Sequence, residues 1–308
     1  MKNILWILAL LPFLSFADDH CKHSEWGPDD EAGAANRVTA ASVLEAAKLI
    51  RTGKTYSLGI VVDSTTPAFS PRSLSVTVVQ PNQQGGAAPF GDMNYNDDIF
   101  MGWLGIGSQL DGLGHLGYKN MYYNCNEAKD FAGISGLTKL GIEKVPPIVA
   151  RGIVLDMAGH YGVEYLEAGQ HFSVEDVEAV AKKQGTPIRE GDVVLFHTGW
   201  TDAKLKSDPA AWVSGEPGQS EEVADYMASK KVVAVGADTW GLDVVPSQSP
   251  DKPFYGHKVY LQENGIYILE TMNTGPLVAD GAFEFLFVLG QAKVRGAVQM
   301  LINPIAIR

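Results

Sequence analysis

Three side chains that can bind a metal ion or carry a proton lie in one glycine-rich stretch of the sequence, Gly105 to His115. Gln109 and Asp111 are two positions apart, so in an extended strand their side chains point to the same side. His115 follows four residues later, beyond two more glycines at which the backbone can bend freely. Asp offers an anionic oxygen, Gln a neutral carbonyl oxygen, and His a ring nitrogen that binds metals or shuttles protons. These residue types indicate a metal or acid–base site; the alternative is a glycine-rich turn with a capping Asp and an interior His.

A second pair of candidate ligands lies far downstream. His257 begins a block that ends at Glu270, and Glu270 directly follows the apolar run Ile266–Leu269. Such a run is typical of a buried strand, which would carry Glu270 into the interior rather than onto a solvated face. The alternative is a surface histidine at the start of a helix and a surface glutamate at the end of a strand.

Segments with strand and helix patterns alternate along the chain. Apolar and β-branched runs predict strands at Tyr56–Val62, Leu74–Val79, Gly152–Asp156, within Arg189–Trp200, and at Val232–Gly236. Helical spacing after an N-cap residue predicts one helix over Val43–Ile50, capped by Thr39, and another after Ser173. The polar residues 201–222, rich in Pro and Gly, predict a surface excursion over the site. The pattern contains no internal repeat and no break in composition, and it predicts a single α/β domain.

Composition limits the classes of partner. The chain has 308 residues, 45% hydrophobic and 19% charged, enough for one large domain or two small ones. Its formal net charge of -12 argues against nucleic acid or an anionic membrane surface as partner. Otherwise the acidic balance indicates solubility and little else.

Residues 1–17 have the features of a secretory signal peptide. Lys2 gives a positive start, Ile4–Phe16 is apolar, and the small-residue motif Ser15–Ala17 precedes Asp18. The apolar run is too short to span a membrane, and no later stretch reaches the required length. We expect a mature protein of residues 18–308, secreted or periplasmic and without a membrane anchor.

The two cysteines, Cys21 and Cys125, both belong to this mature segment. In an oxidising compartment they can form one disulfide that ties the N-terminal tail to the loop after the glycine-rich stretch. The alternative is two unrelated free thiols, because the sequence does not bring the Cα atoms within bridging range.

The glycine-rich stretch resembles the signature of the metal-dependent cyclase/kynurenine formamidase family, His-x-Gly-Thr-His-x-Asp-x-Pro-x-His. Gly107, Asp111 and His115 match that pattern. Gly105 and Gln109 stand where the signature has its first two histidines, which is similar to a glutamine-containing subgroup. The opening at Trp26–Asn36, the block Gly191–Trp200, and the His257 to Glu270 block also resemble the family, so the likeness covers most of the mature chain.

This resemblance implies a swivelling β/β/α fold around a small barrel-like sheet, and commonly a homodimer. It implies a hydrolase of small amides, formamides or lactams, of the arylformamidase kind, using Mn or Zn. Gln109, Asp111, His257 and Glu270 are the implied metal ligands, and His115 is the implied catalytic acid/base. The cation would polarise a carbonyl and lower the pKa of a bound water towards neutrality.

Two other interpretations use different chemistry. A non-catalytic small-molecule binding protein on the same scaffold is favoured by the replacement of two signature histidines with Gly105 and Gln109. A serine hydrolase is disfavoured, because the sequence has no Gly-x-Ser-x-Gly motif.

Overall fold

A nine-stranded sheet, strongly curled into a half-barrel, is the centre of the computed structural model, which describes residues 21–80 and 95–308. The predicted signal peptide lies outside the described residues. The strands are β1 (Thr55–Ser57), β2 (Leu74–Val79), β3 (Asp97–Gly102), β4 (Gln109–Asp111), β5 (Met121–Tyr122), β6 (Asn126–Glu127), β7 (Ala132–Gly133), β8 (Gly136–Leu137), β9 (Ile148–Asp156), β10 (His171–Phe172), β11 (Val193–His197), β12 (Gly218–Gln219), β13 (Ala234–Ala237), β14 (Tyr267–Glu270), β15 (Glu284–Leu289), β16 (Gln299–Leu301) and β17 (Ile305–Ile307).

The large sheet has the strand order β1-β17-β15-β9-β11-β13-β14-β4-β16. Its middle strands β9, β11, β13 and β14 are parallel, and the outer pairs are antiparallel. Every residue of β11, β13 and β14 is buried, which is typical of parallel strands that are covered on both faces. The other strands form two-stranded ribbons beside this sheet.

The helices are α1 (Ala40–Ala47), α2 (Ala128–Phe131), α3 (Met157–Tyr161), α4 (Val174–Gln184), α5 (Trp200–Lys204), α6 (Pro209–Ser214), α7 (Glu221–Ser229), α8 (Tyr255–His257) and α9 (Gly275–Ala279). Helix α8 continues into a π-helical segment, Lys258–Asn264. Helices α1 and α4 both pack against β9, and α7 packs against α4 and the π-helical segment. Among the described residues, no helix combines the length and the apolar character needed to cross a bilayer.

Local sequence signals place several elements as predicted. Thr39 caps α1 and Ser173 caps α4, each in a reciprocal capping box. Helix α1 ends at Ala47, before the predicted end at Ile50. Strand β2 has the predicted bounds. The strand expected at Tyr56–Val62 is shorter, because β1 ends at Ser57. The residue opposite the next position, Leu58, is Pro304 of the partner strand. Pro304 has no N–H to donate, so the ladder cannot continue with a full pair of hydrogen bonds.

Residues 201–222 differ from the predicted surface excursion. They form α6 and parts of α5 and α7, and the side chains of Trp212 and Glu216 are buried. Pro209 begins α6 directly after Asp208, whose carboxylate accepts a hydrogen bond from the Ala211 N–H. The proline is therefore a helix-start signal here rather than a loop signal.

Cys21 and Cys125 form a disulfide, with their Cα atoms 5.3 Å apart. The same tail is held by Asn124, whose side-chain carbonyl accepts from the Ser24 N–H at 3.0 Å. The Asn124 amide also donates to the carbonyl oxygens of Gly27 and Pro28. The disulfide alternative is thus the one that the structure contains, and it anchors the N-terminal tail beside the π-helical segment.

We predict that replacing both cysteines, as Cys21→Ser/Cys125→Ser, lowers the free energy of unfolding by about 2–4 kcal/mol, because a cross-link over 104 residues restricts the unfolded chain. Denaturant unfolding of both proteins, with and without a reductant, measures this. Reductant should shift the midpoint of the wild type and leave the double variant unchanged; an equal shift in both would contradict the prediction.

Candidate metal centre

Three neighbouring strands bring the polar side chains of the candidate site together. Strand β4 lies between β14 and β16, with Gln109 opposite Glu270 and Asp111 opposite Gln299. Paired residues share a face of the sheet, and so do residues two apart on one strand. The register therefore places Gln109, Asp111, Glu270 and Gln299 on one face, which confirms that Gln109 and Asp111 point the same way.

His257 reaches this face from α8. Its Nδ1 lies 2.8 Å from Asp243 Oδ2, and the ring of Phe254 meets it edge-on at 5.3 Å. The opposite nitrogen, Nε2, lies 3.2 Å from Glu270 Oε1 and 3.7 Å from Asp111 Oδ2. Asp243 thus fixes the ring, and Nε2 faces the two carboxylates.

Asp111, His257 and Glu270 form a buried cluster in which one ligand atom from each lies within 4.8 Å of the others. Oδ2 of Asp111 is buried and has no hydrogen-bond partner among the described residues. An unpaired buried carboxylate oxygen is costly, and a cation beside it would satisfy it. The donor set therefore fits a divalent metal ion.

The pKa values of Glu270 and His257 are shifted because both groups are buried and lie close to other charged groups. Burial, and secondly the nearby charge of Asp111, raise the pKa of Glu270 to about 7. Burial disfavours the charged ring of His257, but hydrogen bonds to Asp243 and Glu270 outweigh it and hold its pKa well above the usual value. Both groups therefore bind protons near neutrality in the metal-free protein.

Gln109 lies in the cluster as predicted, but its amide nitrogen faces the carboxylates. It donates to Glu270 Oε2 and lies 3.3 Å from Asp111 Oδ1. An amide binds metals through its carbonyl oxygen, so ligation by Gln109 would require this amide to rotate. In this structure Gln109 bridges the two carboxylates, and its predicted role as a ligand remains a prediction.

His115 stands at the edge of the cluster, with about a fifth of its side chain exposed. Its Nε2 lies 3.8 Å from Asp111 Oδ2. Burial lowers the pKa of His115, more than the Asp111 charge raises it, and this favours the neutral ring. A neutral ring beside a carboxylate oxygen of the cluster is suited to accept a proton.

A cavity of about 140 Å³ opens onto the cluster. Its lining includes His115, His257 and Glu270, together with the aromatic rings of Phe69, Phe254 and Trp240. The rings of Phe69 and Trp240 lie 5.8 Å apart. A larger hollow of about 380 Å³ lies beside the N-terminal tail, but none of these residues line it. Of these two cavities in the described part of the chain, the smaller one contacts the cluster.

Sequence reasoning missed three residues that shape the centre. Asp243 orients His257, and its signal was its place in the polar block that follows strand β13. Buried Glu216 accepts the backbone N–H groups of Trp240 and Gly241 and so holds the cavity wall. Gln299 donates to Asp111 Oδ1 at 2.7 Å, and nothing in its local sequence pointed to the site.

Comparison with known proteins gives a consistent result. A family model described as "Putative cyclase" matches residues 56–244, more than half of the chain. A solved structure described as a novel cyclase is 30% identical to this chain, with a TM-score of 0.84. The match covers 94% of this chain and 100% of the chain in that structure.

Isatin hydrolases are also similar. The curated isatin hydrolase of Roseibium aggregatum is 28% identical over 101 residues, which are 31% of this chain and only 38% of that protein. A structure of an isatin hydrolase bound to the product analogue thioisatinate covers 87% of this chain and 98% of its own, at 18% identity and a TM-score of 0.61, a likeness of fold.

The matches confirm both the predicted α/β fold around a barrel-like sheet and the family that the glycine-rich stretch resembles. The chain belongs to the Cyclase family.

Proposed function

We propose that this protein is a metal-dependent hydrolase of a small amide, formamide or lactam. The observation that carries the proposal is the buried Asp111–His257–Glu270 cluster, with its unpaired Asp111 oxygen, beneath a cavity that His115 also lines. Two carboxylates and an imidazole in this arrangement are suited to one divalent cation.

The chain's own residues would divide the work. Asp111, His257 and Glu270 would hold the cation, which when bound would supply Lewis-acid polarisation of a carbonyl and a lowered pKa for a nearby water. Neutral His115 would accept a proton from the attacking water and return it to the leaving nitrogen, so that the C–N bond breaks without forming a free amide anion. Asp243 keeps the His257 ring turned towards the centre.

The cavity favours a small planar substrate. Its walls of Phe69, Trp240 and Phe254 offer ring faces and edges for an aromatic or cyclic group, and a volume of about 140 Å³ limits its size. The isatin hydrolases among the similar proteins support a lactam or a related arylamide.

The proposal extends to the metal and to the location of the protein, each supported by a different feature. A set with more oxygen than nitrogen donors favours manganese over a tightly held zinc ion, with one ion per site. The disulfide between Cys21 and Cys125 supports export to an oxidising compartment.

The proposed function is tested by metal analysis together with hydrolysis assays on an N-formyl arylamine and a fused lactam. We expect about one Mn or Zn per chain and turnover of at least one substrate. Asp111→Ala should lose both the metal and the activity, because it removes the oxygen that faces the cluster.

The control for this test is His160→Ala, since His160 bonds to Asp176 and is not part of the cluster. It should retain metal and turnover. If the wild-type protein binds these compounds without hydrolysing them, the binding-protein interpretation is favoured. If folded Asp111→Ala retains stoichiometric metal, Asp111 is not a metal ligand.

His115→Ala separates the proton carrier from the ligands. We expect metal content to stay near the wild-type level and kcat to fall about 10²–10⁴-fold, the usual contribution of a general acid–base group. Elemental analysis and steady-state kinetics on the same preparation measure both quantities. Loss of the metal from a variant whose circular dichroism is unchanged would make His115 a ligand instead.

Metal affinity should increase with pH across neutrality. Glu270, with a pKa of about 7, and His257, whose pKa is raised, hold protons that the cation must displace. Below pH 7 we expect affinity for Mn²⁺ to fall about tenfold per pH unit for each displaced proton. Titration calorimetry in two buffers of different ionisation enthalpy counts those protons, and a pH-independent affinity would contradict the assignment.

A further inference from the structure

Gln299 makes close contacts inside the metal centre although it comes from the distant strand β16. It is buried and lies opposite Asp111 in the ladder. Its Nε2 donates to Asp111 Oδ1 at 2.7 Å and lies 3.4 Å from Nε2 of His115. Since a carboxylate oxygen only accepts hydrogen bonds, the NH₂ group of Gln299 must face Asp111. One amide therefore touches both the proposed ligand and the proposed proton carrier.

Gly105 provides the space for this amide. A Cβ atom at Gly105 would lie 2.5 Å from Oε1 and 2.8 Å from Nε2 of Gln299, far inside van der Waals contact. The backbone of Gly105 does not adopt a positive φ, so its conformation does not call for glycine. A side chain at this position would therefore have to displace the Gln299 amide.

The contacts of Asp111 show what this amide does. Gln299 and Gln109 both direct an amide nitrogen at Oδ1, at 2.7 and 3.3 Å. Within the described part of the chain, Oδ2 has no hydrogen-bond partner, and it lies 3.7 Å from His257 Nε2 and 3.8 Å from His115 Nε2. The two amides thus occupy one oxygen of Asp111 and leave the other free for a cation.

We propose that Gln299 is a positioning residue of the metal centre, and that residue 105 is glycine because it must admit the Gln299 amide. This inference rests on the proposed function and adds a residue pair to it. Gln299 fixes the rotation of the Asp111 carboxylate and its separation from His115, so it acts through Asp111 rather than on the substrate.

The test is a double-mutant cycle on Mn²⁺ affinity, measured by titration calorimetry on protein stripped with a chelator. Gln299→Met keeps the length of the side chain but removes the N–H donor, and Gly105→Ala pushes the amide out of place. Each should weaken Mn²⁺ binding about 10–100-fold, the usual effect of losing a partner of a metal ligand. The double variant should bind Mn²⁺ as tightly as the single variant with the lower affinity, because both changes remove the same contact.

Two matched controls separate this role from loss of stability. Gln291 is also a buried glutamine, but its amide donates to the carbonyl oxygens of Ile142 and Val145, away from the metal centre. Gln291→Met should therefore lower the melting temperature without changing Mn²⁺ affinity. Gly290→Ala adds a Cβ in open space and should change neither quantity.

The outcomes are distinguishable. Wild-type affinity in folded Gln299→Met would overturn this inference and leave the proposed function intact. Effects that multiply in the double variant would overturn the coupling between Gly105 and Gln299. A wild-type protein that binds neither Mn²⁺ nor Zn²⁺ would overturn the proposed function, and this inference with it.

Discussion

The repulsion between two buried carboxylates, Asp111 and Glu270, is the constraint around which the centre is arranged. Taking such charges out of water costs on the order of several kcal/mol per ion unless they are paired. The rise in the pKa of Glu270 to about 7 reflects that cost. The Gln109 amide donates to both carboxylates, and His257 supplies a ring that can carry positive charge. These partners compensate part of the repulsion, and a divalent cation would compensate the remainder.

The sequence could predict the parts of the centre that depend on local periodicity. Gln109 and Asp111 share a face because strands repeat every two residues, and Glu270 is buried because it ends an apolar run. Gln299 could not be predicted in this way, since its contact with Asp111 depends on which strand pairs with β4. The direction of the Gln109 amide was also inaccessible, because it is set by two carboxylates that approach from different strands.

The same division holds for the fold. Capping residues and apolar runs predicted α1, α4 and β2, because their signals lie within the element itself. Strand β1 is shorter than its apolar pattern because the partner strand offers Pro304 at the next position, and a single segment carries no information about its partner. The disulfide is a similar case, because Cys21 and Cys125 are 104 residues apart in sequence. Whether their Cα atoms come within bridging range depends on the position of the N-terminal tail, which local sequence does not give.

The position of β4 between β14 and β16 has a consequence for folding. Gln109 contacts Glu270 across 161 residues of sequence, and Asp111 contacts Gln299 across 188. Closing loops of this length is slow, because chain entropy is lost before the contacts form. Until β4 pairs with β14, the two carboxylates would be separate and hydrated. A cation bound there would stabilise only chains in which these strands have paired, so its uptake would report that pairing.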